Sequence, residues 1–130
     1  MATEILLTLQ SGQQTPMGYR FTPGDTVKGT VQILPDKDLN CRHLYVRLQW
    51  HTEGRGDRDS AIVGEQDLFQ GTLSGGMPTY HDFSLVAPRG PWSYSGHYIN
   101  IVWEVIASID VPMGGDPKAE VPFILSPEGR

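Results

Sequence analysis

The sequence predicts an all-β, immunoglobulin-like antiparallel β-sandwich of about seven strands, and three observations carry that prediction. Apolar and polar residues alternate with period two in segment after segment, which puts every second side chain on one face of a strand. The 15 glycines and 10 prolines recur too often for long helices, and no window sustains apolar residues at spacings of three and four. The third is the run from Ile99 to Val111. It is longer than a surface strand needs, and Asn100, Glu104 and Asp110 interrupt it too early for a membrane span.

Strands are expected between clusters of Gly, Pro and Asp. The first is Glu4 to Gln10, with Ile5, Leu7 and Leu9 on one face. The second, Asp25 to Leu34, turns Val27, Val31 and Ile33 inward. Pro23-Gly24 before it suits a type II turn, because Pro presets φ at the first central position and Gly accepts positive φ at the second. The third, Cys41 to Thr52, points Leu44, Val46, Leu48 and Trp50 inward. A fourth lies within Asp59 to Gly71, and a fifth runs from Thr79 to Ala87 with Phe83 and Leu85 inward.

The sixth strand is the long run itself. Ile99, Ile101, Trp103, Val105, Ala107, Ile109 and Val111 share one face, and Tyr98, Asn100, Val102, Glu104, Ile106, Ser108 and Asp110 share the other. Ala119 to Leu125 is the seventh, with Val121, Phe123 and Leu125 aligned. Ser74 to Pro78 and Met113 to Pro117 are expected loops. Strands of this kind, joined by short turns, form two packed sheets, each burying its alternating face.

The 130 residues fit one domain, 1–130, long enough to bury a core without metal or disulfide. A single cysteine, Cys41, excludes an intrachain disulfide. The net charge of -5, with its basic residues scattered, argues against nucleic acid and against an anionic membrane held by electrostatics. The first ten residues lack the basic start of a signal peptide, so a cytoplasmic protein without a transmembrane segment is expected.

The stretch Phe21-Thr-Pro-Gly-Asp-Thr-Val-Lys-Gly-Thr-Val31 resembles the opening of arrestin-like N-terminal domains. A second landmark follows in the same order: a Ser95-Gly96 turn, the alternating strand with Trp103, and Ile109-Asp-Val-Pro112. Between them lies His43-Leu-Tyr-Val-Arg-Leu-Gln-Trp50, followed by Thr52 and Gly54. The chain thus resembles the arrestin-like family from Glu4 to Leu125, single sandwiches of the arrestin-related and sporulation-control-like kind included. The resemblance implies a binding or scaffolding role. Family members usually carry two sandwiches in tandem and many carry tail motifs, whereas one sandwich and no proline-tyrosine motif are seen here. The lysine pair that receptor-binding arrestins use for phosphorylated tails is also missing.

Residues that invite other chemistry have plainer explanations. Arg55-Gly56-Asp57 matches an adhesion tripeptide but suits a hairpin cap. Asp57, Asp59, Asp110 and Asp116 would suit calcium loops of a C2-like sandwich, yet Arg55 and Arg58 flank the first pair. His43, His51, His81 and His97 show no zinc spacing with one another or with Cys41. Ser74 lacks the nucleophile elbow, and no phosphate-cradling glycine loop is present. Trp50 and Trp103 fall on the inward phase, leaving Trp92 as the one candidate sugar platform. No catalytic residue, cofactor or metal is therefore expected.

Two surfaces suit protein partners. The outward faces of the third and sixth strands carry Tyr45, Arg47, Gln49, His51, Tyr98, Val102 and Ile106, an aromatic and β-branched set that marks a contact surface where it is exposed together. The first strand, short and flanked by polar residues, offers a sheet edge for backbone pairing. The expected function is a non-enzymatic interaction or scaffolding module, alone or in a homo- or hetero-oligomer. A C2-like calcium or lipid module and a carbohydrate-binding sandwich are the alternatives.

Overall fold

In the computed structural model, which describes residues 3–16, 18–54, 59–90, 93–95, 99–112 and 117–126, every regular element is a strand. In chain order these are β1 (Glu4–Leu9), β2 (Gln13–Thr15), β3 (Gly18–Phe21), β4 (Thr26–Leu34), β5 (Leu39–Cys41) and β6 (His43–Gly54). The second half holds β7 (Ser60–Asp67), β8 (Gly71–Leu73), β9 (Thr79–Val86), β10 (Tyr94–Ser95), β11 (Ile99–Asp110) and β12 (Lys118–Leu125). The smaller sheet has the order β1-β4-β9. The larger runs β2-β3-β12-β11-β6-β7 with β10 on β11, and β5 pairs with β8 as a short ribbon.

All seven expected strands are present, as β1, β4, β6, β7, β9, β11 and β12. The five further strands have only two to four residues, too few to display an alternation. One of them changes the pairing: β3 lies parallel to β12, while the other described pairs are antiparallel.

The two longest strands, β6 and β11, pair without a break from Ile99↔Gly54 to Asp110↔His43. Their alternating residues Leu44, Val46, Leu48, Trp103, Val105, Ala107 and Ile109 are fully buried. Across the sandwich they meet Leu7, Leu9, Val27, Val31, Ile33 and Phe83 of the smaller sheet. Trp103 packs on Phe123 at 5.7 Å between ring centroids, and Phe123 meets Phe21 edge-on at 5.4 Å. Burial of each such side chain contributes about 1.5–3 kcal/mol, so this layer dominates the apolar stabilisation. Trp103 is core, and Trp50 is half-buried against the same cluster.

The corner from the larger to the smaller sheet is the expected Pro-Gly turn. Asp25 N–H donates to the Thr22 carbonyl at 3.0 Å, and Gly24 has φ of 90°. The Asp25 carboxylate closes the turn by accepting from Thr22 N–H at 2.8 Å. Beyond it, β4 runs between β1 and β9, and Gly29 sits at its centre. A Cβ there would stand 2.4 Å from the Thr8 carbonyl oxygen and 2.5 Å from the Phe83 ring.

Gly64 provides the contrast, since a Cβ on it would meet Leu48 at an ordinary 3.6 Å. Gly29→Ala is expected to lower unfolding free energy by about 1–3 kcal/mol, the cost of overpacking. Gly64→Ala should shift it by less than about 0.5 kcal/mol. Urea denaturation of the two variants checks this, and equal losses would contradict the assigned packing.

Candidate interaction surfaces

A two-sheet sandwich has four outer edges, and each exposes backbone groups that seek a partner. Two of these edges are blunted, and a third is capped at one amide. The β2 edge is three residues long. The β7 edge carries a bulge: the register with β6 shifts between Leu48 and Gln49, leaving Val63 as an extra residue opposite no partner. On the β9 edge, Ser84 N–H points away from β4 and donates to Oε1 of Gln66 from β7 at 3.0 Å.

The remaining edge is β1, and its geometry follows from one bond. Gln10 N–H donates to the Lys28 carbonyl at 2.8 Å, so Gln10 and Lys28 form a hydrogen-bonded pair of the β1–β4 ladder. Such pairs alternate along an antiparallel ladder. Glu4, Leu6 and Thr8 therefore direct their backbone groups to β4, and Ile5, Leu7 and Leu9 direct theirs outward. No described strand pairs with that side. Leu7 and Leu9 are buried by their side chains, while Leu6 on the opposite face is 59% exposed. Beside it a shallow hollow of about 350 Å³ is lined by Glu4, Ile5, Leu6, Gln32 and Leu34.

The ladder is anchored where β1 ends. Ser11 Oγ donates to the Thr26 carbonyl at 2.8 Å and accepts from Lys28 N–H at 2.8 Å, continuing the pairing through a side chain. The pairing with β4 is thus continued past the six residues of β1.

The outward face of β6 and β11 has a different character. Along β6, His43 stacks on Tyr45 at 5.1 Å, and Arg47 lies over the same ring at 4.4 Å. Arg47 Nε also donates to Glu65 Oε2 of β7 at 2.6 Å. His43 pairs with Asp67 at 2.7 Å, and Gln70 donates to the same carboxylate at 2.9 Å. Register places Ile106 opposite Arg47, and Val102 opposite His51. Val102 and Ile106 are half-buried rather than exposed, with Glu104 between them on the strand. Ser108, also on this face, is buried where Tyr45 and Lys118 flank it in register.

His51, Glu53, Glu104 and Glu120 form a cluster across three strands. His51 Nε2 lies 2.9 Å from Glu53 and its Nδ1 lies 3.2 Å from Glu104. The Glu53 hydrogen bond, helped by Glu104, raises the His51 pKa against the opposing effect of burial. Burial also raises the pKa of Glu104, and the neighbouring Glu120 carboxylate adds to that rise. The sequence shows Glu104 in the outward phase, but its coupling to His51 and Glu120 depends on cross-strand register and has no local signal.

Of the residues singled out in the sequence, Tyr45, Arg47, Gln49, His51, Val102 and Ile106 do share one sheet face. Tyr98 lies outside the described residues, as do Arg55, Gly56, Asp57, Arg58, Trp92, Gly96, His97 and Asp116. Asp110 pairs with Arg42 at 3.1 Å, and Asp59 is exposed. Among the described residues no group of three His, Cys, Asp or Glu side chains could hold a metal ion. Among them, too, no helix is long and apolar enough to cross a membrane. Cys41 is buried beside the Phe69 carbonyl, and burial pushes its thiol up to about 11.

No family model and no curated protein matches the chain in sequence. Among solved structures it is similar to Spo0M, a sporulation control protein from Bacillus subtilis, at a TM-score of 0.74 and 16% identity. The match covers 96% of this chain and 49% of Spo0M, so the chain spans about half the length of that protein. At this identity the likeness shows the fold, an arrestin-like β-sandwich.

The His51 cluster has a testable consequence. Because the folded-state pKa is raised, the stabilisation from protonated His51 is full below the ordinary value of about 6.5 and is lost as pH rises through the folded value. In Glu53→Gln, an NMR titration should move His51 back toward about 6.5. The stability advantage of the unsubstituted protein over this variant should shrink between about pH 6 and about pH 8. A His51 that titrates identically in both proteins would contradict the assigned contact.

Proposed function

We propose that this chain is a non-enzymatic protein-interaction module that takes an extended segment of a partner protein as an added strand on β1. The observation that carries this reading is the unblunted β1 edge. The outward backbone groups of Ile5, Leu7 and Leu9 lie next to exposed Leu6 and its hollow, while the other three edges are shortened, bulged or capped. Backbone pairing would supply affinity, and the hollow would select the side chains of the incoming strand. The likeness to Spo0M supports a regulatory role by analogy of fold.

The face formed by Tyr45, Arg47, His51, Val102 and Ile106 is the second surface within this reading. Its charged groups already engage one another, so it would present a pre-ordered face to a partner. A cytoplasmic address is part of the same proposal, in keeping with a free cysteine and no disulfide.

Ile5→Pro tests the edge. The Ile5 N–H points away from β4, so proline there removes no ladder bond, yet it takes a donor from the free side. Partners recovered from the native cell with the unsubstituted chain should fall about tenfold with Ile5→Pro, the loss of about 1.4 kcal/mol of binding. Leu6→Lys should weaken them further, with the thermal transition of both variants retained. Undiminished recovery from folded Ile5→Pro protein would overturn the reading.

A further inference from the structure

We propose that His51 is a pH-operated latch on the outward face of the larger sheet: it ties β6 to β11 while both ring nitrogens carry protons, and it releases the Glu104 side chain when one proton leaves. The latch is independent of what docks on β1.

Two distances set the need for two protons. His51 Nε2 lies 2.9 Å from Glu53 and Nδ1 lies 3.2 Å from Glu104, so each ring nitrogen faces a carboxylate oxygen. A neutral imidazole has one N–H and would turn a lone pair toward the other carboxylate, whereas an imidazolium donates to both. The Glu53 contact stays within β6. The Glu104 contact crosses to β11, where register sets Glu104 opposite Gln49, two residues from His51. Glu104 in turn hydrogen-bonds Glu120 of β12, a contact that two carboxyl groups make only with a proton between them.

The surroundings supply no substitute for the His51 charge. Among the described residues His51 is the one cationic group in ion-pair contact with Glu104, whose side chain is 13% exposed. On β6, Arg47 is held by Glu65 of β7 and by the Tyr45 ring. From the β7 side, Ser60 stands opposite His51, and Asp59 joins His51 and Glu53 around a hollow as a further acid. On β11, uncharged Val102 stands opposite His51 and Asn100 opposite Glu53. On β12, Lys118 stands opposite Ser108, two residues from Glu120, and Arg20 of β3 stands opposite Ile124.

The order of proton loss follows. The Glu53 hydrogen bond keeps His51 protonated above the ordinary 6.5, and burial keeps Glu104 protonated above 4.5. In acid, Glu104 is neutral and shares its proton with Glu120. Once pH passes its folded value Glu104 ionises, and the ion pair with His51 is complete. Beyond the folded value of His51 the cation is lost, and Glu53, Glu104 and Glu120 remain as like charges on one face. Repulsion then favours other rotamers of Glu104.

NMR of the full chain between about pH 5 and about pH 9 tests the latch across the range in which histidine titrates. The side-chain three-bond couplings of Glu104 should report one rotamer until His51 titrates and averaged rotamers above that midpoint. The Glu104 carboxyl carbon should shift at the same midpoint. His51→Gln should remove this step, and His43→Gln, at the other histidine on this face of β6, should leave it in place, with thermal melts confirming that both variants fold. Glu104→Gln gives the reciprocal reading, a lowered His51 midpoint. Glu104 couplings that do not change as His51 titrates, a step that persists in folded His51→Gln or vanishes in folded His43→Gln, or a His51 midpoint unmoved by Glu104→Gln would each overturn the latch.

Discussion

The uninterrupted pairing of β6 with β11 is the constraint on which the rest of the molecule depends. Its length, from Ile99↔Gly54 to Asp110↔His43, lets one face carry seven fully buried side chains, Trp103 the largest. Such a strand pair cannot stand at a sheet edge without exposing apolar surface. It is covered laterally by β12 and β7 and from above by the three-stranded sheet. The outermost strands of both sheets, β1, β9, β2 and β7, are all shorter than this pair, and the management of those edges decides what the protein can contact.

How the edges are managed separates the two surfaces. On the broad face of the larger sheet, charges answer charges: Arg47 with Glu65, His43 with Asp67, His51 with Glu53 and Glu104. That face is satisfied internally. On β1 the backbone groups of Ile5, Leu7 and Leu9 pair with no described strand and point the same way, and the neighbouring side chain, Leu6, is apolar. Desolvating such an edge costs little more than its own backbone groups, and a second strand returns those hydrogen bonds.

Much of this was legible in the sequence, and physical reasons divide what was from what was not. Strands such as Thr26–Leu34 and Ile99–Asp110 are long enough for period-two alternation to show, and their inward residues are the core that the alternation predicts. Gln13–Thr15 and Gly18–Phe21 are too short for any period, so the parallel β3–β12 contact had no local sign. Gly24 was legible because a type II turn needs positive φ. Gly29 was not, because its role is to leave room for the Thr8 carbonyl and the Phe83 ring, which come from distant strands. Likewise the sequence marks β1 as a candidate edge, but which of its amides face outward depends on the register with β4.

That register makes the central claim measurable one amide at a time. Residue-resolved hydrogen exchange on dilute protein should find the amides of Ile5, Leu7 and Leu9 exchanging far faster than those of Leu6 and Thr8, which bond to β4. Addition of a docking strand should slow the first three and leave the other two unchanged. Equal protection of all five amides in dilute protein would contradict an open β1 edge.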